Sequence, residues 1–447
     1  MAASGAAAYD SSAISNSVWL DGSADHLTKS FSGSASSTEG VYSIWVQRNG
    51  YGTDDGIFGT YGTIDSATKE LLFAFRTDNK LQIYWFLGGT GSVLDFKTTR
   101  VFRDTGWYHI LFSYKTDEAA ASDRAKLYIN GILETAFDTK TDPSASFAPP
   151  RPFASVPFGI GVTGETGALN SDFLNGYVAQ ATFLDGQSIQ GGDVAVTDFL
   201  DSVTFGTNGS QLSAKKDSEV AALASAAGAN SFCLDFSASS DLGNDISSKN
   251  NDFSPQDMAT ANQTAHTPSN VYAIMDILKN NGADTSTITF AEGNLRVTGS
   301  GGSDGGTFST LPLATSGTTE FQSTWNNGDG VVGIACYDNL QAAAGSPSNN
   351  VGNGLSLPYN ASYGYMEDGR SLIVTSSGVT ASSLGDAMTT NSVLTVRYDA
   401  DANEVTFLKD NVAQGSAIST VAGLTYYAYA SRSNNYDITM HFEESKF

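Results

Sequence analysis

Three stretches of the chain combine tyrosine with carboxylate, amide or guanidinium side chains, and this combination is suited to binding sugars. A tyrosine ring can stack on the face of a sugar, while Asp, Asn and Arg side chains exchange hydrogen bonds with its hydroxyl groups. Solvated loops and contacts to neighbouring protein subunits are the alternative explanations. The candidate binding residues are Tyr51, Asp54, Asp55, Tyr61, Asn170, Asp172, Tyr363, Tyr365, Glu367, Asp368 and Arg370.

The same acidic stretches could hold calcium, because paired carboxylates and main-chain carbonyls are the ligands that calcium prefers. The four histidines, in contrast, are scattered singly and show no metal-ligand spacing. His109 and His441 lie in strand patterns, where a hydrogen-bonded structural histidine is expected. The sequence therefore predicts no metal site and no cofactor, and leaves calcium open.

No catalytic residue is predicted. A retaining glycosidase needs two carboxylates about 5 to 5.5 Å apart, which on one strand corresponds to a Glu-x-Asp-x-Glu pattern that this sequence lacks. Residues 301–305 match Gly-x-Ser-x-Gly, but they lie in a Gly- and Ser-rich run without the required strand-to-helix turn. The alternative is a polysaccharide-degrading enzyme whose carboxylates, with Glu367 or Asp54 as candidates, come together only on folding.

The elements that must position these residues are β-strands. Runs of alternating apolar and polar residues are separated by Asn-Gly and Asp-Gly turns along most of the chain, with clear hairpins at 107–131 and 394–411. Short helical patterns occur near 193–202, 217–227 and 269–280. The sequence predicts an all-β fold made of two antiparallel β-sandwich domains of the jelly-roll kind, with a few short helices.

The chain of 447 residues is long enough for two separate hydrophobic cores. We predict an N-terminal segment at 1–15, a first sandwich at 16–265, a connector at 266–284 and a second sandwich at 285–447.

The composition disfavours several kinds of partner. With 47 acidic and 23 basic side chains the formal charge is −24, so nucleic acid and anionic lipid would be repelled. Cys233 and Cys336 lie in apolar runs and are predicted to be buried thiols, consistent with synthesis in a reducing cytosol. Because the sequence shows neither a signal-peptide pattern nor an apolar run of about 18 residues, we expect neither classical secretion nor membrane insertion.

Several of these strands and turns resemble known families. The first half is similar to concanavalin A-like jelly rolls of the laminin G and pentraxin type, through residues 17–27, 42–46, 106–109, 127–131, 161 and 173–178. The phrases at 232–236, 250–253 and 267–270 resemble those that follow such domains in bacteriophage virion proteins. The second half resembles a SPRY-type sandwich, through residues 331–335, 364–370 and 396–411.

This resemblance implies a non-enzymatic phage virion protein that is made in the host cytoplasm and exposed on the particle surface. It would be a tail fibre that binds the host receptor or a head decoration, and it would bind host surface glycan or neighbouring virion subunits. Other virion proteins and host surface carbohydrate are the expected partners, and a homo-oligomer is the expected state. A purely structural capsid decoration without a ligand is the remaining alternative.

Overall fold

The computed structural model describes residues 13–33, 35–36, 38–153, 156–165, 168–204, 210–271, 273–282, 288–299, 305–336, 361–375 and 378–442. The chain divides after Val271 into two compact units, and this division falls within the segment 266–284. Both units are antiparallel β-sandwiches, so the predicted all-β fold class is confirmed. Most of the run at 301–305 lies outside the described residues. No helix in the described ranges is long and apolar enough to cross a membrane.

The first unit is built from strands of 2 to 11 residues, with one described α-helix, α1, at Asp217–Ala226 and single 3-10 turns at 121–123, 196–198 and 260–262. The strands are β1 Ser17–Asp21, β2 His26–Ser30, β3 Glu39–Arg48, β4 Asp55–Ile64, β5 Ala67–Phe75, β6 Lys80–Leu87, β7 Gly91–Val101, β8 Tyr108–Lys115, β9 Ala125–Ile129, β10 Ile132–Leu133, β11 Phe137–Thr141, β12 Pro157–Ile160, β13 Thr163–Glu165, β14 Ala168–Ser171, β15 Asn175–Asp185, β16 Leu200–Thr204, β17 Ser210–Ala214, β18 Phe232–Leu234, β19 Ser254–Gln256 and β20 Gln263–Thr264.

Sixteen of these twenty strands form two packed sheets of eight strands each, and β13–β14 and β16–β17 are separate hairpins. Sheet A has the order β10-β9-β8-β3-β15-β1-β20, with β18 also paired to β15, and sheet B has the order β11-β7-β6-β5-β4-β12-β2-β19. Alternate residues of each strand point into the space between the sheets, where they form one core rich in aromatic rings. Tyr42 of sheet A lies at its centre, with ring centroids 5.1 Å from Phe73 and 5.6 Å from Phe58 of sheet B.

The other side of sheet A is covered by α1 and by the hairpin β16–β17. The helix predicted at 217–227 is confirmed, and Lys216 occupies its N-cap position. The helix predicted at 193–202 is wrong: only a 3-10 turn forms, and the chain then enters β16. Pairing of β16 with β17 places Leu200 in an apolar cluster with Trp45, and this contact overrides the local helical pattern.

The second unit is made of longer strands. They are β21 Met275–Gly282, β22 Ile288–Ala291, β23 Arg296–Gly299, β24 Gly305–Pro312, β25 Thr318–Cys336, β26 Ala361–Met366, β27 Arg370–Thr375, β28 Gly378–Ser383, β29 Val393–Asp399, β30 Glu404–Lys409, β31 Val412–Ser419 and β32 Tyr426–His441. The helix predicted at 269–280 is therefore wrong. Instead, Met275 is buried in the core and pairs with Ser309 of β24.

Strands β25 and β32 pair from Gln322 to Cys336 of β25 and belong to both layers of this sandwich. Residues 318–328 of β25 and 436–441 of β32 form one layer with β22–β23 and β29–β30–β31. Residues 330–336 of β25 and 426–432 of β32 form the other layer with β21–β24 and β26–β27–β28. The strands change layer at residues 325–330, where the pairing register shifts twice. Gly328 has a φ of +81° there, and its backbone lies against that of Asn435, so a side chain would not fit.

The predicted structural roles of the cysteines and strand histidines agree with the structure. Cys233 and Cys336 are buried free thiols. His109 is buried, and its Nε2 lies 2.9 Å from the Ser43 hydroxyl, while burial lowers its pKa to about 3. His441 hydrogen-bonds Thr324 at 2.8 Å. Neither histidine is placed as a catalytic base.

Candidate functional site

At the end of β5, Arg76 binds carboxylates from two other loops of the first unit. Its guanidinium nitrogens lie 3.1 Å from Asp54 and 3.5 Å from Asp172. The Thr77 amide donates a hydrogen bond of 2.8 Å to Asp54, and the Thr163 hydroxyl donates one of 3.0 Å to Asp172. This Arg76 cluster joins three loops, so two of the predicted binding segments do converge in space.

Asp55 and Tyr51, which were predicted in the same segment, are engaged in structural contacts. Asp55 is 1% exposed and accepts a hydrogen bond of 3.0 Å from Nε of Arg48, which is itself fully buried. Burial raises the pKa of Asp55 although Arg48 lowers it. The Tyr51 hydroxyl donates a 2.8 Å hydrogen bond to the Asp104 carbonyl. The structure therefore gives Asp55 a structural role, because its carboxylate is buried in an ion pair with Arg48.

A second group of polar and aromatic side chains lies on the outer face of sheet B, away from the core. We call it the aromatic face, and its residues are Tyr61, Glu70, Gln82, Tyr84, Phe86 and Asp95. Each is half-buried, whereas their strand neighbours Leu71, Ile83 and Trp85 are fully buried in the core. Strand alternation therefore presents these side chains together on four adjacent strands, β4 to β7.

Cross-strand pairing fixes the arrangement of this face. Glu70 stands between Tyr61 on one neighbouring strand and Phe86 on the other. Tyr84 is paired with Asp95, whose Oδ1 accepts a hydrogen bond of 2.8 Å from Nε2 of Gln82. The pKa of Tyr84 is raised, first by burial and then by the carboxylates of Glu70 and Asp95. The tyrosine hydroxyl thus lies close to two negative charges.

The hairpin β13–β14 borders the aromatic face on one side. It packs so closely over β4 that a Cβ at Gly59 would lie 2.6 Å from the Val162 carbonyl oxygen and 2.7 Å from Cα of Thr163. On the next strand a Cβ at Gly159 would lie 3.0 Å from the side chain of Leu169. Asn170 is exposed on this hairpin. Two predicted residues, Tyr61 and Asn170, are therefore on or beside the face.

In the second unit the predicted tyrosines are core residues. Tyr363 and Tyr365 lie in β26, with exposed fractions of 1% and 0%. The Tyr365 hydroxyl donates a 2.6 Å hydrogen bond to the Asp386 carbonyl, and burial raises the pKa of this tyrosine to about 12. The Tyr363 hydroxyl accepts the Val421 amide at 3.1 Å. The structure therefore places both rings in the core, and neither has a face open to solvent.

The adjoining turn holds the remaining predicted residues. Arg370 donates a 2.6 Å hydrogen bond from Nε to Asp368. Glu367 is half-buried, and its pKa is raised by burial and then by the charges of Asp368 and Asp329. These residues form a charged turn and include no open aromatic ring. Within the ranges that the structure describes, no group of three or more His, Cys, Asp or Glu side chains is arranged to hold a metal ion.

Comparison with known families agrees with the fold of the first unit. The model of the concanavalin A-like lectin/glucanases superfamily matches residues 21–187, which include the aromatic face and the Arg76 cluster. No curated protein matches the sequence.

Similar solved structures include a SPRY domain, a pentraxin and a pair of laminin domains. The SPRY domain of human HERC1 is 16% identical and covers 38% of this chain and 99% of its own, with a TM-score of 0.28. The heptameric SAP-like pentraxin of Limulus polyphemus is 11% identical and covers 46% and 98%, with a TM-score of 0.30. Domains LG4-5 of mouse laminin alpha1 are 10% identical and cover 100% and 91%, with a TM-score of 0.32.

Proposed function

We propose that this protein acts by binding carbohydrate through the aromatic face of its first unit. The observation that carries the proposal is the placement of three half-buried rings, Tyr61, Tyr84 and Phe86, among the polar side chains of Glu70, Gln82 and Asp95 on four adjacent strands. Aromatic rings cover the apolar faces of sugar rings, and carboxylates and amides hydrogen-bond the hydroxyls around their edges. The face extends across several strands, which suits an oligosaccharide better than a single sugar.

The surroundings of the face support pre-organised binding. The hydrogen bond from Gln82 holds the Asp95 carboxylate in place, and the hairpin β13–β14 forms a wall with Asn170 on its exposed side. The Arg76 cluster ties the loops at the end of β5 to one another. Groups that are already held in position lose little conformational freedom when a ligand binds. The lectins named in the superfamily description also support carbohydrate as the ligand class.

For the biological setting we propose the surface of a bacteriophage particle, as a tail fibre that binds host glycan or as a head decoration. The support comes from the sequence phrases at 232–236, 250–253 and 267–270 that resemble those of phage virion proteins. Neighbouring virion subunits are the proposed protein partners. Immunoelectron microscopy of intact particles, combined with competition by the purified protein for host adsorption, tests this setting. Label at the tail tip with competition supports a fibre, whereas label over the head without competition supports a decoration.

Hydrolysis of polysaccharide is the second candidate, because the aromatic face carries two carboxylates. Glu70 and Asp95 lie on strands separated by β6, opposite residues two positions apart on it, so their backbones are roughly 12 Å apart. Inverting glycosidases hold their carboxyl groups about 6.5 to 9.5 Å apart. Asp54, the earlier candidate, is instead paired with Arg76. Release of reducing sugar by the wild-type protein and its loss in both Glu70→Gln and Asp95→Asn would support this activity.

The binding proposal is tested on a glycan array with the whole chain, followed by calorimetric titration of any glycan that binds. We expect Tyr84→Ala and Phe86→Ala to abolish or strongly weaken binding without changing the circular dichroism spectrum. The matched control is Ile132→Ala, which removes an exposed apolar side chain on β10 in sheet A. Binding that survives both aromatic substitutions, or a wild-type protein that binds no glycan, would overturn the proposal.

A further inference from the structure

Within the ranges that the structure describes, strand β28 is an edge of the second sandwich. It pairs with β27 on one side, and it is the last strand of its layer. The pairing runs without a register shift from Arg370 opposite Ser383 to Thr375 opposite Gly378. All six of its residues are exposed or half-exposed. The outward-facing amide and carbonyl groups of such an edge can hydrogen-bond a further strand.

This edge lacks the features that usually prevent such pairing. Its sequence, Gly-Val-Thr-Ala-Ser-Ser, contains no charge and no proline. The edges of the first unit are protected: β11 carries Asp138 and Lys140, β19 is three residues long and contains Pro255, and β10 and β20 have two residues each. Another edge strand of the second unit, β21, carries Asp276 and Lys279. The two remaining edges of the second unit, β22 and β31, also lack charge and proline, but β22 has only four residues. Pairing with a further strand is therefore least opposed at β28 and β31.

The neighbouring edge strand is also uncharged and partly apolar, and the charges near β28 lie at its C-terminal end, on Asp368, Arg370 and Asp386. The adjacent edge strand of the other layer, β31, contains no charged residue, and Val412 at its start is 64% exposed. The two edges lie close together, because the Gly415 backbone packs against Leu384 and the Asp386 amide donates a 2.7 Å hydrogen bond to Gln414. On β28 itself, Val379 and Ala381 extend an apolar cluster of this layer that includes Leu372 and Val374.

We propose that β28 pairs in antiparallel fashion with β28 of a second copy of this chain. The formal charge of −24 opposes association of two copies through most of their surface, so they can approach closely where the surface is uncharged. A two-fold axis makes one strand edge complementary to itself. This inference is independent of carbohydrate binding by the first unit.

The apolar side chains of β28 also select the register. Residues directly opposite each other in an antiparallel pair share a face of the sheet. An axis at Thr380 places Thr380 of the two copies opposite each other and Val379 opposite Ala381 of the second copy. This register joins the apolar clusters of the two copies into one surface, and it places the two Thr380 Cα atoms about 4.5 to 5.5 Å apart. That separation suits a disulfide between cysteines at this position.

The experiment combines mass measurement with disulfide trapping of the full chain. We expect sedimentation equilibrium to give the mass of two chains for the wild type and of one chain for Thr380→Lys, because like charges would face each other across the axis. Thr380→Cys should form a disulfide-linked dimer under mild oxidation. The native cysteines give no background, since both are buried.

Val412→Cys on β31 is the matched control, because its side chain is 64% exposed yet it lies on a different strand from the proposed axis, and it should not be linked. A monomeric wild-type protein would overturn the inference. So would a dimer that survives Thr380→Lys, or equal linking of the two cysteine variants. Pairing of β28 with a strand of another protein would appear as a monomer in these measurements and also contradicts the proposal.

Discussion

Gln82 donates a hydrogen bond of 2.8 Å from Nε2 to Oδ1 of Asp95 on the neighbouring strand and so fixes a carboxylate opposite Tyr84. Half-buried hydrogen bonds of this kind hold polar groups at defined positions on an otherwise aromatic surface. The first unit therefore presents a surface whose hydrogen-bonding groups are set before any ligand arrives. This relationship makes the aromatic face, rather than the loops, the place where changes in side chain should alter binding.

Replacement of Tyr84 by alanine should weaken glycan binding by at least about fivefold, which corresponds to roughly 1 kcal/mol for the loss of a central aromatic contact. Isothermal titration with a glycan that the wild type binds would measure this effect. Tyr84→Phe keeps the ring and should retain most of the affinity. If Tyr84→Phe lost as much affinity as Tyr84→Ala, the hydroxyl rather than the ring would be the binding group.

Replacement of Arg76 by alanine should leave two half-exposed carboxylates, Asp54 and Asp172, without their shared cation. Because all three side chains are partly in contact with solvent, the expected loss in free energy of unfolding is small, about 1 kcal/mol or less. Glycan affinity should fall if the joined loops help to shape the face. Urea denaturation and titration of the same variant separate the two effects, and Arg76→Lys, which keeps the charge, serves as control.

Replacement of Arg48 by methionine should be far more damaging. Arg48 is fully buried against Asp55, and removal of one partner of a buried ion pair leaves an unpaired charge at a cost of about 3 to 5 kcal/mol. Arg48 also donates hydrogen bonds to Asn79 and to the Phe102 carbonyl, at 3.1 and 3.0 Å. Urea denaturation should show a larger loss than for Arg76→Ala. A loss of similar size in both variants would contradict the structural role assigned to Asp55.

Stability should depend on the ionisation of Asp217 at the start of α1. Burial raises the pKa of this carboxyl to about 7, while Gln180 hydrogen-bonds it. Because the folded-state pKa lies above the unfolded one, the contribution to stability is full in acid and is lost as the pH rises through about 7. The wild type should therefore lose about 1 kcal/mol of unfolding free energy between pH 6 and pH 8 through this group. Thermal or urea unfolding at both pH values measures the loss.

Asp217→Asn should remove this part of the pH dependence, whereas Asp241→Asn, at an exposed position, should leave it intact. A wild type and an Asp217→Asn variant with the same slope between pH 6 and pH 8 would show that Asp217 does not titrate in this range.

The sequence was sufficient to predict the two sandwiches, since strand alternation and turn residues are local signals. It was less informative about the site, because binding residues were sought in loops. Tyr84 and Phe86 lie inside a strand. The alternation of side chains places them on the opposite face of the sheet from Trp85, but it does not show which of the two faces is buried in the core. Tyr363 and Tyr365 were predicted as binding residues, whereas pairing of β26 with β25 and β27 places both rings in the core.

The passage of β25 and β32 through both layers has a further consequence for the second unit. Each layer contains half of the same two paired strands. Separation of β25 from β32 in one layer therefore disturbs their pairing in the other layer. Because the two layers share these strands, they are expected to unfold together rather than one at a time. We therefore expect its slowest-exchanging backbone amides to lie along β25 and β32 in both layers, with a single rate of opening.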